Sequence, residues 1–261
     1  MNILLSNDDG VRAEGIIRFA EVLRTLGDVY VFAPTEQMSC CGHGVSVKKT
    51  ICARDVRFPG AVRAVAVDGT PADCMKVAFK MLAEDGVEVD MVFSGVNMGG
   101  NLGTDTLYSG TISAAMEAIL IGIPAVAASV DSHEPRHYEA VLDLALRLGR
   151  LGPAGLRGDT VLSINAPDLP REEIKGVKVT RLGVREYDAW IREESREDGL
   201  RTYKYASSNP IYAKGIPEDT DVAAHRDGYA TITPLGHDLT ARGLVEETRK
   251  LIDGLHRTES G

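Results

Sequence analysis

The sequence predicts an α/β fold, a doubly wound and mostly parallel sheet, on three observations. The first 33 residues read as strand, turn, helix and strand. The same alternation of apolar runs and helical periodicity continues to about residue 185. There it stops, and a segment of different character follows.

Residues 2–6 form a short apolar run closed by Asn7-Asp8-Asp9-Gly10, a turn or loop signal. Ile16, Phe19, Leu23 and Leu26 fall at helical spacing and Gly27 supplies a stop, so an amphipathic helix precedes the second strand at 28–33. Further strands are expected at 62–67, 89–94, 123–130 and 160–165, with helices at 72–82, 111–121 and 138–151. Within Asp68-Gly69-Thr70-Pro71-Ala72-Asp73-Cys74, Thr70 fits a helix N-cap and Pro71 the first helical position. After 185, residues 186–202 are charged and contain Trp190. Asn209-Pro210 and Gly215-Ile216-Pro217 break regular structure, only 229–233 reads as a strand, and a terminal helix runs from about 241 to 256. The chain therefore divides into a catalytic α/β domain, 1–185, and a C-terminal arm and helix, 186–261. The arm is too thin in apolar residues for its own core, and Tyr203, Tyr205, Ile211, Tyr212 and Ile216 need cover from the main domain or from another subunit.

Composition narrows the function. The 261 residues are 44% hydrophobic and carry a formal charge of −9, which disfavours a nucleic-acid backbone or an anionic membrane as a standing partner. Phosphate can still be bound locally, by a metal ion or a helix N-terminus. The start of the sequence lacks a leader pattern, no apolar run reaches the ~18 residues of a membrane span, and Cys40, Cys41, Cys52 and Cys74 lack the spacing of a disulfide framework or zinc site. A reduced, cytoplasmic protein is expected.

Ligands in doubly wound sheets bind beyond the carboxyl ends of the strands. Asp8 and Asp9 stand at such an end, and adjacent carboxylates repel unless a cation or a shared proton relieves them. Mg²⁺ or Mn²⁺ suits these oxygen donors, while an Asx-turn with an N-cap is the structural alternative. The segment Ser94-Gly95-Val96-Asn97-Met98-Gly99-Gly100-Asn101-Leu102-Gly103-Thr104-Asp105 leaves a strand through glycines and amides, and enters a helix behind Tyr108-Ser109-Gly110-Thr111. Small residues and the free N–H groups of a helix start make this a phosphate cradle. Ser39, in a breaker-rich loop, offers a hydroxyl to metal or phosphate. His43 in the same loop reads as solvated, with an accessory role as the alternative. Asn165-Ala166-Pro167-Asp168 either lines the pocket or turns the chain.

These residues together resemble the SurE survival proteins, metal-dependent 5′/3′-nucleotidases. The likeness rests on Ser6-Asn7-Asp8-Asp9-Gly10, the 68–74 segment, Ser94-Gly95-Val96-Asn97 with Gly99, Asn101, Gly103 and Asp105, and Tyr108-Ser109-Gly110-Thr111 continuing to Ala114-Ala115-Met116-Glu117. Gly122-Ile123-Pro124-Ala125, Asn209-Pro210 and Thr233-Pro234-Leu235 extend it over nearly the whole chain. It implies a Rossmann-like domain whose C-terminal arm serves oligomerisation, as a homodimer or homotetramer. It also implies hydrolysis of nucleoside 5′- and 3′-monophosphates, with polyphosphate as a further substrate. By this resemblance Asp8, Asp9, Ser39 and Asn97 hold one Mg²⁺ or Mn²⁺ per subunit, and Asn97, Ser109, Gly110 and Thr111 take the substrate phosphate. One departure stands out: the family usually has glycine after the loop serine, and this chain has Cys40.

The mechanism expected is attack by metal-activated water, assisted by Asp8 or Asp9 as general base. Two rivals are distinguishable. An aspartyl-phosphate phosphatase would place its second Asp two residues after the first, not adjacent to it. A nucleotide sensor would bind the ligand and leave the ester intact.

Overall fold

The computed structural model describes residues 1–187, 191–205, 210–211 and 215–258. In chain order its elements are β1 (Asn2–Ser6), α1 (Glu14–Leu23), β2 (Asp28–Pro34), β3 (Ala53–Asp55), β4 (Arg63–Val67), α2 (Pro71–Glu84), β5 (Met91–Met98), α3 (Gly110–Ile119), β6 (Ala125–Asp131), α4 (Glu139–Arg150), β7 (Val161–Pro167), β8 (Val177–Val179), β9 (Glu186–Tyr187), β10 (Ile191–Glu197), β11 (Leu200–Tyr205), β12 (Pro210–Ile211), α5 (Asp221–Arg226), β13 (Ala230–Leu235) and α6 (Val245–Thr258).

Nine strands make one sheet in the order β3-β4-β2-β1-β5-β6-β7-β13-β8. The six from β4 to β7 are parallel, while β3 runs antiparallel to β4 and β13 antiparallel to β7. Numbered along the chain, those six lie in the doubly wound order 3-2-1-4-5-6, so the connections reverse between β1 and β5. That is where a crevice opens. Helices cover both faces: Ile3, Leu5, Val31, Met91 and Phe93 point into the core shared with α1 and α4, and Leu4, Val65, Val67 and Val92 into that shared with α2 and α3. Phe19 of α1 meets Phe93 edge-on, with ring centroids 5.5 Å apart. Burial on two faces explains why these strands read as continuous apolar runs.

Two differences from the sequence reading bear on function. The strand expected at 89–94 continues to Met98, because Asn97 and Met98 rejoin the ladder opposite Ser129 and Val130 after a register shift. Asn97 thus sits on a strand end and not in the loop. The second concerns 186–261, which is not all appendage. β13 enters the main sheet between β7 and β8, with Thr231 opposite Asn165, and α5 packs behind it. A strand that borrows an existing core needs no core of its own.

The charged segment that read as irregular is a hairpin, β10–β11, turned by Asp198 (φ +47°) and Gly199 (φ +82°). An Asp-Gly pair suits a two-residue turn with positive φ at both positions. Ile191, Leu200, Tyr203 and Tyr205 are all exposed on it. Ile216 is half-buried. Trp190, Asn209 and Tyr212 lie outside the described residues, as does the side chain of Ile211.

Candidate active site

The crevice between β1 and β5 is built by short-range chemistry. Asn7 closes the turn after β1 on itself: its Nδ2 donates to the Gly10 carbonyl at 3.0 Å, and its Oδ1 accepts from Gly10 N–H at 3.2 Å. Gly10 takes φ +101°, which glycine adopts without a Cβ penalty. The Asx-turn of the structural alternative therefore belongs to Asn7. Asp8 and Asp9 are released from turn duty, although they are only 3% and 9% exposed.

Each carboxylate reaches a different element. Asp8 accepts a short hydrogen bond from the Thr111 hydroxyl, and the backbone amides of Gly110 and Thr111 point at the same carboxylate. A Cβ on Gly110 would come 2.7 Å from Asp8 Cβ and 2.8 Å from Pro71 Cγ. The start of α3 is thus packed directly against Asp8. Ser109 caps that helix, its Oγ accepting from Ile112 N–H at 3.0 Å. Asp9 accepts from Met98 N–H at 2.9 Å and from Gln37 Nε2 at 3.3 Å, and the same Gln37 nitrogen donates to Ser39 Oγ at 3.0 Å. Met38 N–H bonds the Asp8 carbonyl at 2.7 Å. Asn97, 7% exposed, donates through Nδ2 to the Gly99 carbonyl at 2.7 Å, so its oxygen is the atom left to act as a ligand.

The site brings together all seven residues singled out in the sequence, with altered roles for some. Ser109 and Gly110 serve the helix start and the Asp8 contact, so the first amides of α3 are already turned to a protein carboxylate. Ser39 is exposed and joins Asp9 through Gln37, a residue the sequence reading passed over. Cys40 takes φ +59°, which explains the family's glycine there: the backbone path needs the left-handed region whichever residue supplies it. His43 is not merely solvated. Its Nε2 lies 2.8 Å from Glu117 Oε1, and Lys76 Nζ bonds Glu117 Oε2 at 2.7 Å. Thr70 and Asp73 form a capping box at the start of α2, the structural role expected of them. Asp168 turns the chain by accepting from the backbone N–H groups of Arg136 and His137.

Electrostatics set Asp8 and Asp9 apart. Burial pushes Asp8 above the usual carboxylate range, and burial together with the neighbouring Asp8 charge pushes Asp9 up to about 6. Among the described residues no lysine, arginine or histidine forms an ion pair with either. Nor, among those residues, do three or more His, Cys, Asp or Glu side chains form a group that could hold a metal ion by themselves. The donor set on offer is two carboxylates supplemented by neutral oxygens, those of Asn97 and Ser39. Such a set fits a hard divalent cation that keeps several waters.

A second polar cluster adjoins the first and was missed in the sequence. Arg185, Asp105, Asp131, Tyr187 and His225 converge from four parts of the chain. Arg185 Nη2 bonds both oxygens of Asp131 at 3.0 and 2.9 Å, Nη1 reaches Asp105 at 3.2 Å, and His225 Nε2 is 2.9 Å from Asp131. The Tyr187 hydroxyl makes a short bond to Asp105. Asp131 ends β6, so the rule of looking just beyond strands could have found it; Arg185 gave no such signal.

Comparison with known proteins identifies what the chain is similar to. The family described as "Survival protein SurE" matches residues 3–189. The chain is 41% identical over 254 residues to a protein named 5′-nucleotidase SurE from Clostridium botulinum (strain ATCC 19397 / Type A), covering 96% of this chain and 99% of that one. It is 42% identical over 261 residues to the protein of the same name from Carboxydothermus hydrogenoformans, covering 98% and 97%. Among solved structures, the crystal structure of a SurE protein from Aquifex aeolicus superimposes with a TM-score of 0.80 at 35% identity, over 96% of this chain and 99% of that one.

Proposed function

The chain belongs to the SurE survival protein family, and on that premise we propose that it is a divalent-metal-dependent phosphomonoesterase acting on nucleoside monophosphates. Its α/β fold with a mostly parallel nine-stranded sheet is that of the family, and it is a hydrolase of the 5′-nucleotidase kind. The proposal extends to nucleoside 3′-monophosphates and to polyphosphate, to one Mg²⁺ or Mn²⁺ per subunit, and to a cytoplasmic homodimer or homotetramer without a stable nucleic-acid complex.

The observation that carries the reading is a pair of buried carboxylates without a counter-cation among the described residues, at the point where the strand order reverses. Asp8, Asp9, Asn97 and Ser39 would hold the metal. When bound, it would supply Lewis-acid polarisation of the phosphoryl oxygens and a lower pKa for water. The chain's own residues do the rest. Thr111 and the first amides of α3 fix Asp8 in one orientation. Asp9 is less committed: among the described residues its Oδ1 accepts the 3.3 Å bond from Gln37 alone, which supports Asp9 as the carboxylate that would take a proton from the attacking water. The positive end of the α3 dipole, packed against Asp8, would favour phosphoryl charge building up beside it.

The assembly reading is supported by the hairpin β10–β11, whose side chains are exposed on both faces, and by Leu251 and Ile252 exposed on α6. A lone two-stranded hairpin is marginal in water, so contact with another copy would give it cover. Among the described residues no helix is long and apolar enough to cross a membrane. The test of function is release of inorganic phosphate from nucleoside 5′- and 3′-monophosphates by chelator-treated protein, before and after Mg²⁺ or Mn²⁺ is restored. Release without metal would refute metal dependence, and nucleotide binding without release in either condition would refute the enzyme reading.

A further inference from the structure

We propose that Arg185 is a positioning residue for the reaction, acting with Asp131 as a clamp on Gly100 that aims the Asn97 amide. The inference rests on the reading of Asn97 as a ligand of the metal.

One peptide plane, between Gly99 and Gly100, joins Asn97 to Asp131. Asn97 Nδ2 donates to the Gly99 carbonyl at 2.7 Å, and the Gly100 N–H of that same plane donates to Asp131 Oδ1 at 3.0 Å. Carbonyl and N–H point in opposite directions across a rigid trans peptide, so the grip of Asp131 on one end fixes the direction of the other. Arg185 completes the clamp. One guanidinium nitrogen holds both oxygens of Asp131 while the other bonds the Gly100 carbonyl at 3.2 Å and Asp105 at 3.2 Å. Gly99 has φ +104°, and a Cβ on Gly100 would come 2.7 Å from Asp131 Oδ1. Gly99 is constrained by its backbone angle and Gly100 by the space Asp131 leaves it. Upstream by one residue, Met98 N–H holds Asp9 at 2.9 Å, so the clamped strand end touches two of the proposed ligands.

The rest of the loop is tied to the same part of the chain. Thr104 Oγ1 donates to the Arg185 carbonyl at 3.0 Å, and Asp221 accepts from Gly103 N–H and Gly183 N–H, each at 2.7 Å. The Arg185 side chain is 6% exposed, which shields these bonds from water. A guanidinium is required because it offers several donors in one plane; a lysine keeps the charge but reaches one partner at a time.

The experiment compares the intact protein with Arg185→Lys and with Arg181→Gln. Arg181 forms an exposed two-pronged pair with Asp219 in the same segment and does not touch the loop, so it serves as the control. Mn²⁺ affinity of chelator-treated protein is measured by calorimetry, alongside kcat, KM and thermal unfolding with a nucleoside 5′-monophosphate as substrate. Arg185→Lys should weaken Mn²⁺ about tenfold, the size seen when groups that orient metal ligands are changed. It should also lower kcat at saturating Mn²⁺ with KM little altered, while Arg181→Gln matches the parent. Parent-like Mn²⁺ affinity and kcat in Arg185→Lys would overturn the clamp. Should that variant fail to fold, Gly100→Ala presses on Asp131 from the other side and must show the same weakening and the same kcat loss, or the clamp is refuted. A parent protein that binds no Mn²⁺ overturns the metal-site reading itself, a result separate from either.

Discussion

Two pairs of carboxylates lie beyond the carboxyl ends of the parallel strands, and the protein gives them different partners. Asp105 and Asp131 surround a buried arginine. Burial raises Asp131, yet the hydrogen bond from His225 and the charge of Arg185 outweigh it and hold the carboxyl well below the usual range. Asp8 and Asp9 are more enclosed, their neighbours are a threonine hydroxyl, backbone amides and a glutamine, and both are pushed upward. Burial raises Asp105 as well, but Arg185 and Tyr187 bind it, so that pair is closed by the protein and has become architecture. The other is left in want of a cation, the arrangement expected where a cation is part of the chemistry.

The strongest way to break this contrast is to remove charge from each pair in turn. Asp8→Asn should abolish phosphate release, by on the order of 10³-fold or more, since a metal contributes several kcal/mol to the transition state. The fold should survive, as judged by an unchanged or higher unfolding temperature without metal. Full turnover in this variant at saturating Mg²⁺ or Mn²⁺ would end the case for the site. Asp131→Asn should do the reverse in kind, costing about 3 kcal/mol of stability by leaving Arg185 short of a partner. The sign with pH follows: an Asp held below its unfolded value of 3.8 stabilises above that pH and loses the contribution as pH falls through the lower folded value. The intact protein should therefore lose stability below about pH 4 more steeply than Asp131→Asn; parallel acid-unfolding curves would show that Asp131 is not held down.

A finer test lies at the contact between α3 and Asp8. The resemblance gives Gly110 to the substrate phosphate, so a side chain there would impair phosphate handling more than metal binding. The structure adds a contact on the metal side, because the added Cβ would strike Asp8. Gly110→Ala should weaken Mn²⁺ and raise KM together, with an overpacking cost of about 1–3 kcal/mol; intact Mn²⁺ affinity would restore the original division of roles. The smallest effect is expected at Cys40. Replacing it by glycine should relieve a left-handed backbone that costs a side chain about 1 kcal/mol, and raise stability accordingly without changing turnover. Lower turnover would show that the sulfur side chain matters to the Ser39 loop.

How much of this was legible in the sequence depended on distance along the chain. Asp8, Asp9 and the Ser109–Thr111 helix start announced themselves, because a strand end and a cap are local patterns. So was the alternation that gives the central six strands. Gln37 carried no pattern, and its bridge between Asp9 and Ser39 appears only once β1 and β2 lie side by side. Arg185 is 54 residues from Asp131 and 85 from Gly100, and no periodicity links them. The hairpin is the instructive miss: Asp198-Gly199 marks a tight turn, but charged strands hide the alternation that would have framed it.

The late entry of β13 into the sheet has a consequence for how the protein is made. Asn165 waits for Thr231, and Thr180 for Thr233, whose hydroxyls meet at 2.8 Å. As the chain is synthesised from its N-terminus, the six parallel strands are available well before their outer neighbour exists. During that interval β7 presents an open edge to anything that can pair with it, a standing invitation to aggregation. A nascent chain released before Asp221 would keep Asp8, Asp9 and Asn97, yet it would lack both the carboxylate that holds the Gly103 loop and the strand that seals β7. Residues 221–235 thereby complete this part of the structure only after the six parallel strands have been made.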